Sequence, residues 1–83
     1  MSYSIKWNPG ALDRIPREML SRVIKKVESI LDDPFRYLEH YESEEVYKLR
    51  IGDYRALIEI DFTHQILKIR IVDHRHRVYK RKF

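Results

Sequence analysis

Three cations, Lys48, Arg50 and Arg55, flank a short Gly52-Asp53 segment. Alternating apolar and polar residues on both sides predict two strands joined by a two-residue turn of type II′, with Gly first. That register places Arg50 directly opposite Arg55, with Lys48 further along the same face. Like charges in this position destabilise a sheet unless a neighbouring acid or a bound anion compensates them. We interpret the three as an anion-binding cluster; the alternative is a coincidence of exposed, screened charges.

A second group of cations follows the last predicted strand. Residues 74–83 contain no acid, and their Lys and Arg residues are Arg75, Arg77, Lys80, Arg81 and Lys82. Tyr79 lies among them. Cations hold phosphates while an aromatic ring stacks a base, so this mixture is typical of surfaces that bind single-stranded nucleic acid. We predict RNA contacts for Arg77, Lys80, Arg81 and Lys82. Tyr79 is predicted to stack a base, or alternatively to pack the tail onto the sheet.

These residue types could cut RNA through its 2′-hydroxyl group. The reaction needs a base for the hydroxyl proton, positive charge near the phosphorane oxygens, and help for the departing 5′-oxygen. Lys48, crowded by two arginines, should lose its proton more easily than an isolated lysine, since nearby like charge disfavours the charged form. The arginines stay protonated and suit charge stabilisation.

His74 and His76 are the competing candidates for acid–base work, because an unperturbed imidazole titrates near neutral pH. Two residues apart on an extended segment, they could also hold a metal ion. The sequence has no cysteine and no acid in a ligand pattern nearby, which disfavours that reading. We expect neither a metal nor another cofactor.

Charge distribution narrows the class of partner. The chain has 17 Lys plus Arg against 13 Asp plus Glu, for a net charge of +4. Residues 1–42 are neutral overall, so the whole excess falls in residues 43–83. This asymmetry favours an anionic partner, with nucleic acid ahead of an acidic protein segment and of a membrane surface.

Length and composition narrow the class of protein. The 83 residues suit a single domain, residues 1–83, and exclude a large two-domain enzyme. The absence of cysteine excludes a disulfide scaffold and a thiolate metal site. Apolar runs are too short for a transmembrane helix or a signal peptide. We therefore expect a soluble, cytoplasmic protein with no membrane partner.

The first half of the chain is predicted to contain one strand and two helices. Residues 2–7 alternate as a short strand. Asn8 and Pro9 suit the start of a short helix ending near Ile15. Pro16 should open a longer helix, since an apolar stripe at helical spacing runs over residues 19–31 before Asp32-Asp33-Pro34 ends it. We interpret the stripe as core.

The second half is predicted to be a loop, 35–45, followed by strands over 46–51, 54–61 and 66–73. Alternation assigns to the core side Tyr47, Leu49, Ile51, Tyr54, Ala56, Ile58, Ile60, Leu67, Ile69 and Ile71. The expected fold is α+β: an N-terminal strand, a two-helix hairpin and a three-stranded antiparallel meander, with the helices packed on one face of a twisted sheet. Two points stay open, the place of the N-terminal strand and whether 77–82 is a strand or a mobile tail.

Three ordered blocks resemble the RelE family of the RelE/ParE toxin superfamily. They are Tyr47-Lys48-Leu49-Arg50, Gly52-Asp53-Tyr54-Arg55 and His74-Arg75-His76-Arg77-Val78-Tyr79. The Asn8-Pro9 opening, the helix pair and Asp33-Pro34 also resemble that family, so the resemblance spans nearly the whole chain. Arg77 departs from it, because relatives often have an acid there. The chain stops at Phe83, so a C-terminal helix is expected to be absent or reduced to a tail.

The resemblance implies the toxin of a type II toxin–antitoxin system: an endoribonuclease that inhibits translation by cutting mRNA in the ribosomal A site, without a metal, through 2′-hydroxyl attack. By position, Lys48 matches the general base and Arg50 a basic position often filled by Lys. Arg55 and Arg75 match the phosphate-binding and leaving-group arginines, and Tyr79 the tyrosine that orients the base. The implied partners are a cognate RelB-like antitoxin, the ribosome and mRNA, with the toxin–antitoxin complex forming a higher assembly.

Two alternatives remain at this point. A ParE-like toxin that poisons DNA gyrase shares the scaffold but generally lacks the basic catalytic set. A non-catalytic module would use the same cations only to bind RNA or an antitoxin. The joint presence of Lys48, Arg55, Arg75 and Tyr79 favours the nuclease.

Overall fold

The chain forms an α+β fold built on one five-stranded sheet. The computed structural model describes residues 2–41 and 45–80. The strands are β1 (Ser4–Trp7), β2 (Glu39–His40), β3 (Val46–Ile51), β4 (Tyr54–Asp61) and β5 (Ile66–His74). The α-helices are α1 (Leu20–Ser29) and α2 (Arg75–Val78), and 3-10 turns span Arg17–Met19 and Pro34–Arg36. The strand order is β1-β5-β4-β3-β2, with β1 parallel to β5 and the other neighbours antiparallel.

The main core lies between α1 and one face of the sheet. Val23, Val27 and Ile30 of the predicted apolar stripe are completely buried, together with core-side residues of β3, β4 and β5. Tyr47 and Tyr54 pack against this core, partly buried, as their place in the alternation predicts. The prediction that the stripe is core is therefore confirmed.

The predicted two-helix hairpin is wrong in its first helix. Residues 9–14 form successive turns, in which the N–H groups of Ala11, Asp13 and Ile15 each donate to a carbonyl three residues earlier, at 3.0–3.1 Å. Gly10 has a φ of 79°, which breaks a right-handed helix. Pro16 precedes a 3-10 turn rather than α1 itself, and α1 ends at Ser29, before the predicted stop.

The predicted turn at Gly52-Asp53 is confirmed. Ile51 pairs with Tyr54 and Arg50 with Arg55 across β3 and β4. Gly52 has a φ of 59° and Asp53 has no positive φ, which is the pattern of a type II′ turn. This turn fixes which side chains of the hairpin share a face.

A β-bulge in β5 reverses the predicted alternation. Leu57 pairs with Ile71 but Ile58 pairs with Ile69, so Arg70 is an extra residue in the ladder. Beyond the bulge Val72 lies in the core, and the core assignment of Ile71 is wrong. A bulge of this kind switches every following side chain to the other face.

Two segments have more structure than predicted. Residues 35–45, expected to be a loop, include a 3-10 turn and the short strand β2, which pairs with Tyr47 and Lys48 of β3. Residues 75–78 form α2, so the described part of 77–82 is neither strand nor tail. The N-terminal strand takes the sheet edge beside β5. No helix in the described ranges is long and apolar enough to cross a bilayer.

Candidate functional site

The face of the sheet opposite the main core carries the cations, and α2 covers part of it. α2 packs on β4 and β5, with Val78 fully buried. Leu57, which alternation assigned to this outer face, is also buried, and it lies outside the main core cluster. The α2 helix therefore covers one part of the outer face, and the part that stays exposed lies towards β2 and β3.

Four of the five residues predicted to be catalytic line one shallow depression on this face. Its volume is about 180 Å³, and it is lined by Glu39, Lys48, Arg50, Arg55 and Tyr79. Arg75 does not line it. Arg75 is exposed at the start of α2, where its N–H donates to the carbonyl of Asp53 at 2.9 Å. The hairpin therefore supplies three cations to the depression, and the residue after α2 supplies the ring.

Lys48 sits between a carboxylate and an aromatic ring. Its Nζ lies 3.6 Å from Glu39 Oε2 and 5.6 Å from the centroid of the Tyr79 ring. Tyr79 is 41% exposed, and its ring contacts that of Tyr41 at a centroid distance of 5.4 Å. Tyr79 thus packs against the sheet and still offers a free part of its ring to a ligand, so the two roles considered for it are compatible.

Arg55 is held by its own hairpin. Its Nη1 donates to the carbonyl oxygens of Gly52 and Tyr54, both at 2.7 Å. These contacts fix the guanidinium group beside the turn, directly across from Arg50. A cation oriented in advance loses little entropy when it binds an anion.

A buried acid on β5 lies beside the arginine pair in the sheet. Asp73 lies opposite Arg55 in the β4–β5 register and is 0% exposed. Its Oδ1 accepts hydrogen bonds from the His74 N–H at 2.7 Å and from Arg77 Nε at 3.1 Å. The carboxylate therefore ties the first turn of α2 to the sheet beside the arginines.

The residues predicted to contact RNA are placed differently from one another. The Arg77 side chain is 60% exposed although it pairs with Asp73, and Lys80 is exposed after α2. Arg81 and Lys82 lie outside the described residues. Arg77 consequently has a structural contact in addition to its predicted contact with RNA.

The two histidines are arranged around the start of α2. Their rings stack at 4.9 Å, and His74 Nδ1 accepts from the His76 N–H at 3.3 Å, which caps the helix. Within residues 2–41 and 45–80, no group of three or more His, Asp or Glu side chains is arranged to hold a metal ion.

Sequence reasoning missed Glu39 and the position of Asp73. Strand β2 has only two residues, too few to show an alternation, so the sequence predicts only a loop at Glu39. Alternation continued from Leu67 would place Asp73 towards the core, and only the bulge at Arg70 turns it to the arginine side. An acid next to a run of cations, Asp73, was a signal in the sequence. The face of the sheet on which Asp73 lies could not be predicted from its neighbours along the chain.

Comparison with known proteins gives a family-profile match and similar solved structures, and both belong to toxin–antitoxin systems. Residues 5–79 match the profile of the family described as the ParE toxin of the type II toxin–antitoxin system parDE. A chain of the toxin–antitoxin complex RelBE2 from Mycobacterium tuberculosis is similar, with a TM-score of 0.78 and 26% identity over 90% of this chain and 100% of that one. No curated protein sequence matches significantly.

Two further solved structures share the fold at lower identity. The archaeal RelE–RelB complex from Pyrococcus horikoshii matches with a TM-score of 0.70 and 20% identity, over 94% of this chain and 100% of that one. Isolated E. coli RelE matches with a TM-score of 0.72 and 18% identity, over 95% and 93%. Because the family profile spans nearly all of the sequence, the chain belongs to the ParE toxin family of type II toxin–antitoxin systems, within the RelE/ParE superfamily.

Proposed function

We propose that this toxin is an endoribonuclease that cuts mRNA in the A site of the translating ribosome. The observation that carries the proposal is the depression in which Lys48, Arg50, Arg55 and Tyr79 converge. Three cations and one partly exposed ring on an open surface suit a phosphodiester and its neighbouring base. A toxin that poisons DNA gyrase would not need these three cations together with the ring.

The proposed reaction is attack of the 2′-oxygen on the adjacent phosphorus. The new bond to the 2′-oxygen forms as the bond to the 5′-oxygen breaks, leaving a 2′,3′-cyclic phosphate and a 5′-hydroxyl. Lys48 takes the 2′-hydroxyl proton, and the departing 5′-oxygen takes a proton from water. Arg50 and Arg55 stabilise the charge that develops on the phosphorane oxygens.

Arg75 is proposed to act from the rim. It lies outside the depression but at the start of α2, which its backbone N–H joins to the turn beside Arg55. Its exposed, flexible side chain suits contact with the leaving side of the phosphate once RNA is bound. A depression of about 180 Å³ leaves a bound strand largely open to solvent. The ribosome would then enclose and align the RNA, which is why we propose activity on the ribosome.

Expression in growing cells tests the proposal. We expect growth arrest, and primer extension should map cuts within translated codons. Lys48→Ala should lower the cleavage rate about 100-fold or more, the range of a positioned general base. Arrest with intact mRNA would contradict the proposal.

The Tyr79 ring is expected to contribute stacking rather than hydroxyl chemistry. Tyr79→Ala should cost about 1–3 kcal/mol of RNA binding, the usual value of one base stacked on an aromatic ring. Tyr79→Phe keeps the ring and should retain most of the binding. Fluorescence anisotropy with a labelled oligonucleotide measures both variants. Equal losses in the two would assign the effect to the hydroxyl group instead.

Poisoning of DNA gyrase is the second candidate, because the matching family profile is that of ParE toxins. It predicts DNA-damage signalling with intact mRNA, and toxicity that survives Lys48→Ala. The nuclease proposal predicts the reverse on both counts. A damage-response reporter and primer extension in the same culture separate the two.

A cognate antitoxin is the proposed protein partner, with the cytoplasm as the shared compartment. The solved relatives include toxin–antitoxin complexes from M. tuberculosis and P. horikoshii. An antitoxin that supplies acidic side chains would neutralise the exposed cations of the outer face. Purification from the native operon should recover a small acidic protein with this chain, in an assembly larger than one copy of each. Recovery of the toxin alone would contradict this.

A further inference from the structure

A second cationic cavity lies on the other side of β3, between α1 and the β3–β4 turn. This groove has a volume of about 830 Å³ and is lined by Glu18, Ser21, Arg22, Lys25, Lys26, Arg50, Ile51 and Gly52. Four of its eight lining residues are cations and one is an acid. No described carboxylate lies within ion-pair distance of those four cations. The groove therefore has a net positive charge, with four cations against one acid in its lining.

The turn itself helps to build the groove. A Cβ atom at position 52 would lie 3.2 Å from Arg22 Nη2, so glycine lets the guanidinium of Arg22 lie against the turn. The φ of 59° at Gly52 also suits glycine. Strand β2 pairs only with Tyr47 and Lys48, so the end of β3 at Arg50 is left as the rim of the groove.

Arg50 joins the groove to the depression, because it lines both. An RNA strand bound at the depression by Lys48 and Arg55 would contact Arg50 next, and then the cations of α1. Protein partners anchor on apolar, aromatic and arginine side chains, and the apolar residue that lines this groove, Ile51, is only 2% exposed. Four cations against one acid favour a nucleic-acid backbone over a peptide.

We propose that this groove binds the phosphodiester backbone of the mRNA strand on one side of the scissile phosphate. This rests on the proposed function, since it extends the path of the same substrate. Lys25 and Lys26 on α1 face phosphates that the depression is too small to reach. The groove thus adds affinity without taking part in bond cleavage.

Binding of RNA that cannot be cut tests the groove separately from catalysis. The probes are a labelled 2′-O-methyl trinucleotide and a longer 2′-O-methyl oligonucleotide able to extend from the depression into the groove. For the longer probe, Lys25→Ala should weaken binding several-fold and lower the salt dependence of log K by about one unit. Binding of the trinucleotide should be unaffected by Lys25→Ala. Glu18→Gln should strengthen binding of the longer probe, because it removes the carboxylate from the groove.

The matched control is Arg14→Ala, which removes the same charge from an exposed residue that lines neither cavity. For the longer probe, Arg14→Ala should change the salt dependence of log K less than Lys25→Ala does. Equal effects of Lys25→Ala and Arg14→Ala would overturn the proposal. So would an effect of Lys25→Ala on antitoxin binding alone.

Ribosomes programmed with truncated mRNA identify the source of the backbone. If the groove binds mRNA, the effect of Lys25→Ala on toxin binding should vanish when the mRNA is truncated close to the A-site codon on the relevant side. An effect that is the same for every mRNA length would assign the groove to ribosomal RNA and overturn the proposal. These readouts are binding constants, so they remain decisive even if no mRNA is cleaved.

Discussion

Arg55→Ala is expected to slow mRNA cleavage on programmed ribosomes by about 100- to 1000-fold, the usual effect of removing one preorganised donor to a developing oxyanion. The guanidinium is fixed by the carbonyls of Gly52 and Tyr54 at 2.7 Å, before any substrate arrives. Its charge is therefore available in the transition state without a reorganisation cost. Single-turnover cleavage at saturating toxin measures the effect.

The control for Arg55 must separate charge from position. Arg14→Ala removes an exposed cation elsewhere and should leave the cleavage rate near that of the parent chain. Arg55→Lys keeps the charge but cannot reproduce the planar group that reaches both carbonyls, so an intermediate rate is expected. Thermal unfolding of each variant checks that the hairpin persists. An Arg55→Ala variant that is folded and fully active would exclude Arg55 from the chemistry.

Asp73→Ala is expected to lower the free energy of unfolding by about 1–3 kcal/mol, the cost of leaving a buried hydrogen-bonding group unsatisfied. The carboxylate is completely buried and accepts from the His74 N–H and from Arg77 Nε. Asp73 also lies opposite Arg55 in the β4–β5 register, on the side away from Arg50, so the substitution removes an acid from beside the arginine pair. Urea denaturation, read from the midpoint and the slope together, measures the loss.

An exposed aspartate in the hairpin turn provides the control. Asp53→Ala removes the same group from a solvent-exposed position and should cost much less. A double-mutant cycle with Arg77→Gln isolates the Asp73–Arg77 contribution, which should be only part of the total because the Arg77 side chain is 60% exposed. Equal losses from Asp73→Ala and Asp53→Ala would mean that Asp73 does not hold α2 in place.

The hairpin was predictable because its information is local. Gly52-Asp53 specifies a turn, the turn specifies that Arg50 faces Arg55, and alternation then places Lys48 on the same face. Four of the five predicted catalytic residues consequently converge in the structure. Their chemical roles are still predictions.

The parts that were not predictable depend on distant neighbours. The bulge at Arg70 is invisible in an apolar alternation that continues through it, and the face of Asp73 depends on that bulge. Strand β2 forms because two residues pair with the edge of β3. Helix α2 forms because it packs on β4 and β5, where Val78 is buried. Residues 9–15 carry an N-cap and a proline suited to a helix, but Gly10 takes a positive φ that ends it.

Cleavage of a site-specifically modified mRNA tests the central claim most directly. The mRNA carries a 2′-deoxy nucleotide immediately 5′ to the mapped cut, in the A-site codon of a programmed ribosome, and its unmodified counterpart serves as the control. If the 2′-hydroxyl is the nucleophile, the modification should abolish cleavage at that bond while toxin binding to the ribosome stays the same. Cleavage of the modified mRNA at the same bond and rate would contradict the account.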